Sequence, residues 1–263
     1  MKKFIFVIAM LVIAAVIGGA QNQAPVTGPI APNGFAIPNV NLIDDFLGNT
    51  PATSTTIGQL GWDSTVVSGG TNPVAATASV ANHPGLITLT TAATTGDGVY
   101  VSLGHAVGVL FPGNTTNWQA EWIQEYNQIS TGSTRIGFGT VDSSSAIPTN
   151  GIYIRYLQGT DSFLNVCSDT SSTETCGATT ILPTAADYVD IIMSSSATGT
   201  ISVTVNDITT PATSTIRVCS SGCNVTATPP TGVLSPMFSI VSTSNTADVL
   251  TVDYWNYQQI AAR

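Results

Sequence analysis

Two glutamates, two arginines and a tyrosine stand out in a chain of 263 residues of which only 8% are charged. Glu121 and Glu125 lie in the run WQAEWIQEYNQI, Arg135 in STRIGFGTVD, and Tyr153 and Arg155 in NGIYIRYL. Guanidinium forks and carboxylates are groups that hold sugar hydroxyls and peptide polar atoms, and Tyr153 offers a ring for stacking. These types therefore fit a glycan- or peptide-binding cleft. They also fit a solvated face crossed by ion pairs, each worth only ~0.2–1 kcal/mol. With no other site signal beside them, the solvated face is the favoured reading.

The three runs must position those side chains, and each alternates. Trp118, Ala120, Trp122 and Tyr126 take one face of the first run, while Glu121, Ile123 and Glu125 take the other. Ile136 and Phe138 oppose Arg135 in the second run; Ile152, Ile154 and Tyr156 oppose Tyr153 and Arg155 in the third. Period two with one apolar face predicts three consecutive strands, Trp118 to Leu157, in an antiparallel sheet that is buried on one side. On this reading all five candidate residues share its polar side.

Further strands follow at the spacing of an all-β sandwich: LIDDF, LITLTT, VYVSLG, FLNVC, DYVDIIM, ISVTV, TIRVC, MFSIV and VLTVDYWNY. No stretch after residue 20 sustains a helical period. About a dozen strands without a helix predict a two-sheet antiparallel jelly-roll sandwich over residues 42–258, with 259–263 as a tail.

The N-terminus reads as a targeting segment. Lys2 and Lys3 precede a continuous apolar run, Phe4 to Ile17, and Gly18-Gly19-Ala20 supplies a small-residue cleavage site, so residues 1–20 are expected to be a signal peptide. Residues 21–41 form an extended Pro-rich arm, either a linker or a segment that lies on a neighbouring subunit. Without Lys2 and Lys3 the chain keeps four Arg against fifteen acids, a net charge of −11. That balance excludes nucleic acid and anionic membrane as partners, since both demand positive charge. The four cysteines agree with export to the periplasm, the cell surface or beyond. Local pairing, Cys167 with Cys176 and Cys219 with Cys223, is the favoured connectivity of the three that four cysteines allow. A zinc site is disfavoured because neither spacing is a Cys-x-x-Cys knuckle.

The order LIDDF, PGLITLTT, GVYVSLG, EWIQEY, NGIYIRY, DYVDIIM, VDYWNY resembles a concanavalin A-like jelly roll over residues 42–257. The resemblance is to domains of phage virion and tail structural proteins and of bacterial surface proteins. More narrowly, LIDDF, Glu121-Trp-Ile-Gln-Glu125 and Val252-Asp-Tyr254 are similar to motifs of laminarinase-type glucanases. That likeness implies Glu121 and Glu125 as nucleophile and acid/base, a pair that works at about 5–5.5 Å. Ile123, however, stands where those enzymes place the Asp that sets the two protonation states. The same likeness implies that Asp45 and Asp253 could ligate a structural calcium, though Asp is also common at strand edges without metal. No other cofactor is implied.

Trp118 and Trp122 alternate with apolar residues and are expected in the core. Trp255 falls opposite Leu250, Val252 and Tyr254, which makes it the better candidate for exposure. His83 and His105 lack any catalytic constellation around them. The sequence thus favours an exported, non-catalytic structural or adhesive protein that partners itself, surface components or glycans. The alternatives are a lectin-like glycan-binding module and a glucanase-type hydrolase.

Overall fold

The computed structural model describes residues 39–46, 57–68, 74–76, 85–103, 111–112, 117–128, 132–140, 148–196, 198–230 and 233–260. The expected signal peptide, nearly all of the arm, the 259–263 tail beyond Ile260, and both histidines lie outside them. Among the described residues the strands are β1 (Asn39–Asp44), β2 (Asp63–Val67), β3 (Val74–Ala76), β4 (Leu86–Thr90), β5 (Gly98–Ser102), β6 (Phe111–Pro112), β7 (Trp118–Gln128), β8 (Gly132–Gly139) and β9 (Gly151–Leu157). They continue as β10 (Asn165–Thr170), β11 (Thr173–Ala178), β12 (Asp187–Ser195), β13 (Ile201–Asp207), β14 (Ala212–Cys219), β15 (Val225–Thr226), β16 (Val233–Ser242) and β17 (Val249–Ile260). Strand pairing reaches beyond the 42–258 boundaries, because Asn39 to Asn41 already pair with Ile260 to Gln258.

Two sheets pack face to face. One has the order β15-β14-β13-β12-β7-β17-β4-β3, with β1 also paired to β17; the other runs β11-β10-β9-β8-β16-β5-β2, with β6 on β16. The two latest strands, β16 and β17, each take an interior place in one sheet. The expected all-β two-sheet sandwich is what forms.

Burial alternates along some strands, whereas β5 and β8 are buried at every position. β12 and β13 bury every second residue, Val189, Ile191 and Met193 against Val203 and Val205, because branched and long apolar side chains fill one side of a pleated surface while Thr and Ser face out. The inner faces meet in an aromatic seam. Trp62 lies edge-on to Trp255 at 5.1 Å, and Phe138 receives both Trp118 and Trp122 edge-on at 5.1 Å.

Two expectations need correction. The stretch Trp118–Leu157 is not three neighbouring strands: β7 sits between β12 and β17, while β8 and β9 belong to the other sheet. The chain changes sheets between Gln128 and Gly132, and alternation along a strand carries no information about which sheet that strand joins. Trp255 is not exposed but fully buried. Its phase is reversed by a bulge, since Val252 pairs with Gln124 and Tyr254 with Ile123, leaving Asp253 as an extra residue. One inserted residue swaps the faces beyond it, so Trp255 and Tyr257 turn inward with Leu250 and Val252.

Both local disulfides form, Cys167–Cys176 and Cys219–Cys223. The first joins directly opposed residues of β10 and β11. Their hairpin closes through Ser171 and Ser172, both at positive φ (54° and 63°), as a two-residue turn matching the strand twist requires. Among the described residues no helix is long and apolar enough to cross a membrane.

Candidate functional site

The five sequence candidates divide between two outward faces with the core between them. On the eight-stranded sheet, the register sets Tyr100, Ser239, Arg135, Arg155 and Asn165 in one transverse row. Tyr153 stands on the same face, one step along β9. Glu121 and Glu125 lie on the outer face of the nine-stranded sheet, where Glu121 is flanked by Asn256 and Ile192, and Glu125 by Thr251 and Tyr188. Arg135 and Arg155 therefore cannot neutralise Glu121 and Glu125, and the five residues do not line one cleft.

On the eight-stranded face, Arg155 is the centre of a fixed polar network. Its guanidinium donates in a fork to Asp161, Nε to Oδ2 at 3.0 Å and Nη2 to Oδ1 at 2.7 Å, and Nη1 donates to Glu174 Oε2. Asp161 also accepts from the Leu157 amide at 2.8 Å, so the turn after β9 is folded around this pair. Burial works against the Arg155 charge, but Asp161 and Glu174 outweigh it and hold its pKa above the ordinary value. Tyr153 donates to Glu174 Oε1 at 2.7 Å and lies 3.4 Å from Asp169 Oδ2. Burial, then the bond to Glu174, pushes its phenol upward. Asp169 faces Glu174 directly across the hairpin. Its carboxyl is raised first by burial and next by the Glu174 charge, against the opposing effects of Tyr153 and Arg135.

Arg135 differs from its neighbour. It is only 6% exposed, its Nη1 donates to Ser133 Oγ at 2.8 Å, and its Nε has no hydrogen-bond partner. A small apolar cluster, Tyr100, Tyr153, Met237 and Cys167, packs on this same outer face. Pro148 closes down over it, since a Cβ on Gly139 would stand 2.8 Å from the Pro148 Cβ. The loop is tied to the β10–β11 turn by the Ser171 amide donating to Asn150 Oδ1 at 2.9 Å and the Ser172 amide donating to Thr149 O at 2.8 Å.

The nine-stranded face is acidic. Burial raises the Glu121 carboxyl, Asp190 raises it further, and Asn256 opposes both. Asp190 is itself raised by burial, partly offset by Asn206, whose Nδ2 donates to Oδ2 at 2.9 Å. Burial, with Glu125 and Asp253 nearby, pushes the Tyr188 phenol up to about 12.

The calcium candidates named from the sequence are Asp45 and Asp253. Asp45 accepts from Gln59 Nε2 at 2.7 Å, and Asp253 is the bulged residue of β17. Among the described residues, the group of three potential donors is Cys167, Glu174 and Cys176, whose sulfurs form the disulfide, and neither Asp45 nor Asp253 belongs to it. The neighbouring Asp44 has a structural role instead. Fully buried, it accepts from the amides of Phe46 (2.9 Å), Gln59 (3.1 Å) and Leu60 (2.9 Å) and from Trp62 Nε1 (3.0 Å).

No protein-family model matches the sequence, and no curated protein matches it. Solved structures do. A protein of unknown function from Shewanella oneidensis MR-1 is similar with a TM-score of 0.56 at 12% identity, over 90% of this chain and 98% of its own. The acidic lectin of winged bean, complexed with methyl-α-D-galactose, is similar with a TM-score of 0.54 at 7% identity, over 86% and 100%. The carbohydrate recognition domain of Emp47p gives 0.52 at 10%, over 84% and 95%. The phage and glucanase likenesses of the sequence are not repeated in these structures. What they share with the chain is the concanavalin A-like, legume-lectin sandwich of two β-sheets.

Proposed function

We propose that this chain is an extracytoplasmic glycan-binding protein, and that the outer face of the eight-stranded sheet holds the sugar. The observation that carries the reading is the Arg155 network. A donor fork, two carboxylates and a phenol are held in one arrangement before any ligand arrives, and Arg155 and Glu174 keep 16% and 24% of their side-chain surface open. Preorganised polar groups beside an aromatic ring suit sugar hydroxyls, because little ordering remains to be done on binding. The winged bean lectin and the Emp47p domain, which share the fold, support the class of ligand. Two disulfides agree with an oxidising compartment. The structural-subunit alternative rests on the 21–41 arm, which falls almost wholly outside the described residues.

A glycan array followed by calorimetry tests the proposal with wild type, Arg155→Ala and Glu174→Gln, each checked for folding by circular dichroism. The expected result is binding by wild type and at least a tenfold loss in each folded variant. A wild type that binds no glycan, or variants that bind as well as wild type, overturns it.

A further inference from the structure

Arg135 and Arg155 stand directly opposite each other on β8 and β9, two like charges on one face. Such an arrangement is unfavourable unless something compensates each charge. Arg155 is compensated by Asp161 and Glu174. Arg135 is more deeply buried, yet no ion pair serves it among the described residues, and its one hydrogen bond goes to a neutral hydroxyl. Asp169, whose carboxyl feels the Arg135 charge, faces Glu174 across the hairpin and keeps Oδ1 without a partner. Nη1 is occupied by Ser133, and Nε, on the Nε–Nη2 edge of the guanidinium, has no hydrogen-bond partner. That edge is the one that grips a carboxylate in two parallel hydrogen bonds. A buried charge without an ionic partner is costly to keep, and a net charge of −9 for the whole chain makes the exception sharper.

Resting on the glycan-binding reading, we infer that the Nε–Nη2 edge of Arg135 receives the carboxylate of an acidic sugar, so that the face selects glycans bearing uronic or sialic acid. The Arg155 network then takes the neighbouring hydroxyls. Tyr100 and Ser239, both buried, continue the row on the far side of Arg135.

The test uses the full-length folded protein and oligosaccharides of galacturonate, glucuronate and N-acetylneuraminate. Each is paired with its carboxyl-reduced counterpart, in which the acid has become a primary alcohol. Calorimetry should show at least one acidic oligosaccharide bound tenfold or more tightly than its reduced partner. Arg135→Gln should erase that difference while it leaves the affinity for the reduced sugar within about twofold, as expected when a charged bidentate contact alone is lost. Equal binding of acid and alcohol by wild type overturns this inference and leaves the glycan reading standing. Binding of neither form to wild type, or to any array glycan, overturns both. Should Arg135→Gln fail to fold, the acid-against-alcohol comparison on wild type still decides the matter.

Discussion

Asp44 holds the entry to the sandwich together, and its removal has a calculable cost. The carboxylate accepts four hydrogen bonds, and two of their donors, the Phe46 amide and Trp62 Nε1, are fully buried. The Gln59 and Leu60 amides are partly buried and can recover water. In Asp44→Ala the two buried donors lose their acceptor at about 1–3 kcal/mol each. That sum, roughly 4 kcal/mol, agrees with the cost of removing one partner of a buried charged interaction, about 3–5 kcal/mol. For a domain of this size each kcal/mol moves the midpoint by about 2–4 °C, so the melting temperature should drop by roughly 8–16 °C. Asp44→Asn keeps one carbonyl acceptor in nearly the same shape and should lose about half as much. The effect should spread locally: Phe46 is held at φ 51° and Trp62 packs edge-on against Trp255, so near-ultraviolet dichroism should change along with the midpoint. Scanning calorimetry at pH 7 with the disulfides intact is the assay. An Asp44→Ala midpoint within about 2 °C of wild type, or an Asn variant as damaged as the Ala variant, would refute the argument, given the 2–4 °C per kcal/mol scale.

Two other outcomes follow from the described geometry. Glu121, Asp169 and Asp190 all have folded-state pKa values raised chiefly by burial. The folded state thus binds their protons more tightly than the unfolded chain does. Their contribution to stability is complete below the ordinary carboxylate pKa of ~4 and is lost as pH rises through the raised values. Asp169→Asn, which removes one such group, should therefore stabilise the fold, and its advantage over wild type should widen from pH 4 to pH 7 in melting curves; an advantage that shrinks with pH contradicts the assignment. Deleting Asp253 removes the bulge yet keeps Tyr254 opposite Ile123 and Trp255 opposite Trp122, so Trp255 and Tyr257 should stay in the core. The deletion variant should therefore melt cooperatively, as should Asp253→Ala; loss of cooperative melting on deletion, as two buried aromatics expelled at about 3–5 kcal/mol each would produce, contradicts this register.

What could be read from the sequence was whatever depends on neighbours along a strand. Trp118 and Trp122 point inward because period two places them with Ala120 and Tyr126, and the disulfide partners follow from two short loops. Sheet membership did not come through. β7 alternates just as β8 and β9 do, and no residue in that pattern marks the change of sheet that puts Glu121 and Arg155 on opposite sides of the molecule. The Asp253 bulge is equally silent, since Val-Asp-Tyr-Trp is compatible with either phase. The Asp169–Glu174 pair could have been found. A two-residue turn at Ser171-Ser172 with cysteines at 167 and 176 forces residues 169 and 174 to face each other. Asp44 was hidden beside Asp45, because adjacent acids at a strand end give no sign of which one turns in.

The positions of β16 and β17 bear on how the protein is made. Each sheet has one interior strand encoded late in the chain: β16 joins β8 to β5, and β17 joins β7 to β4 and β1. Before residues 233–260 leave the ribosome, the earlier strands can form only partial sheets with open edges and an incomplete core. Such long-range closure is slow and leaves unpaired strand edges exposed in the meantime. The nascent chain thus stays unfinished until its final thirty or so residues arrive, a condition that suits passage through a narrow translocation channel and makes truncation near β17 far more damaging than its length suggests.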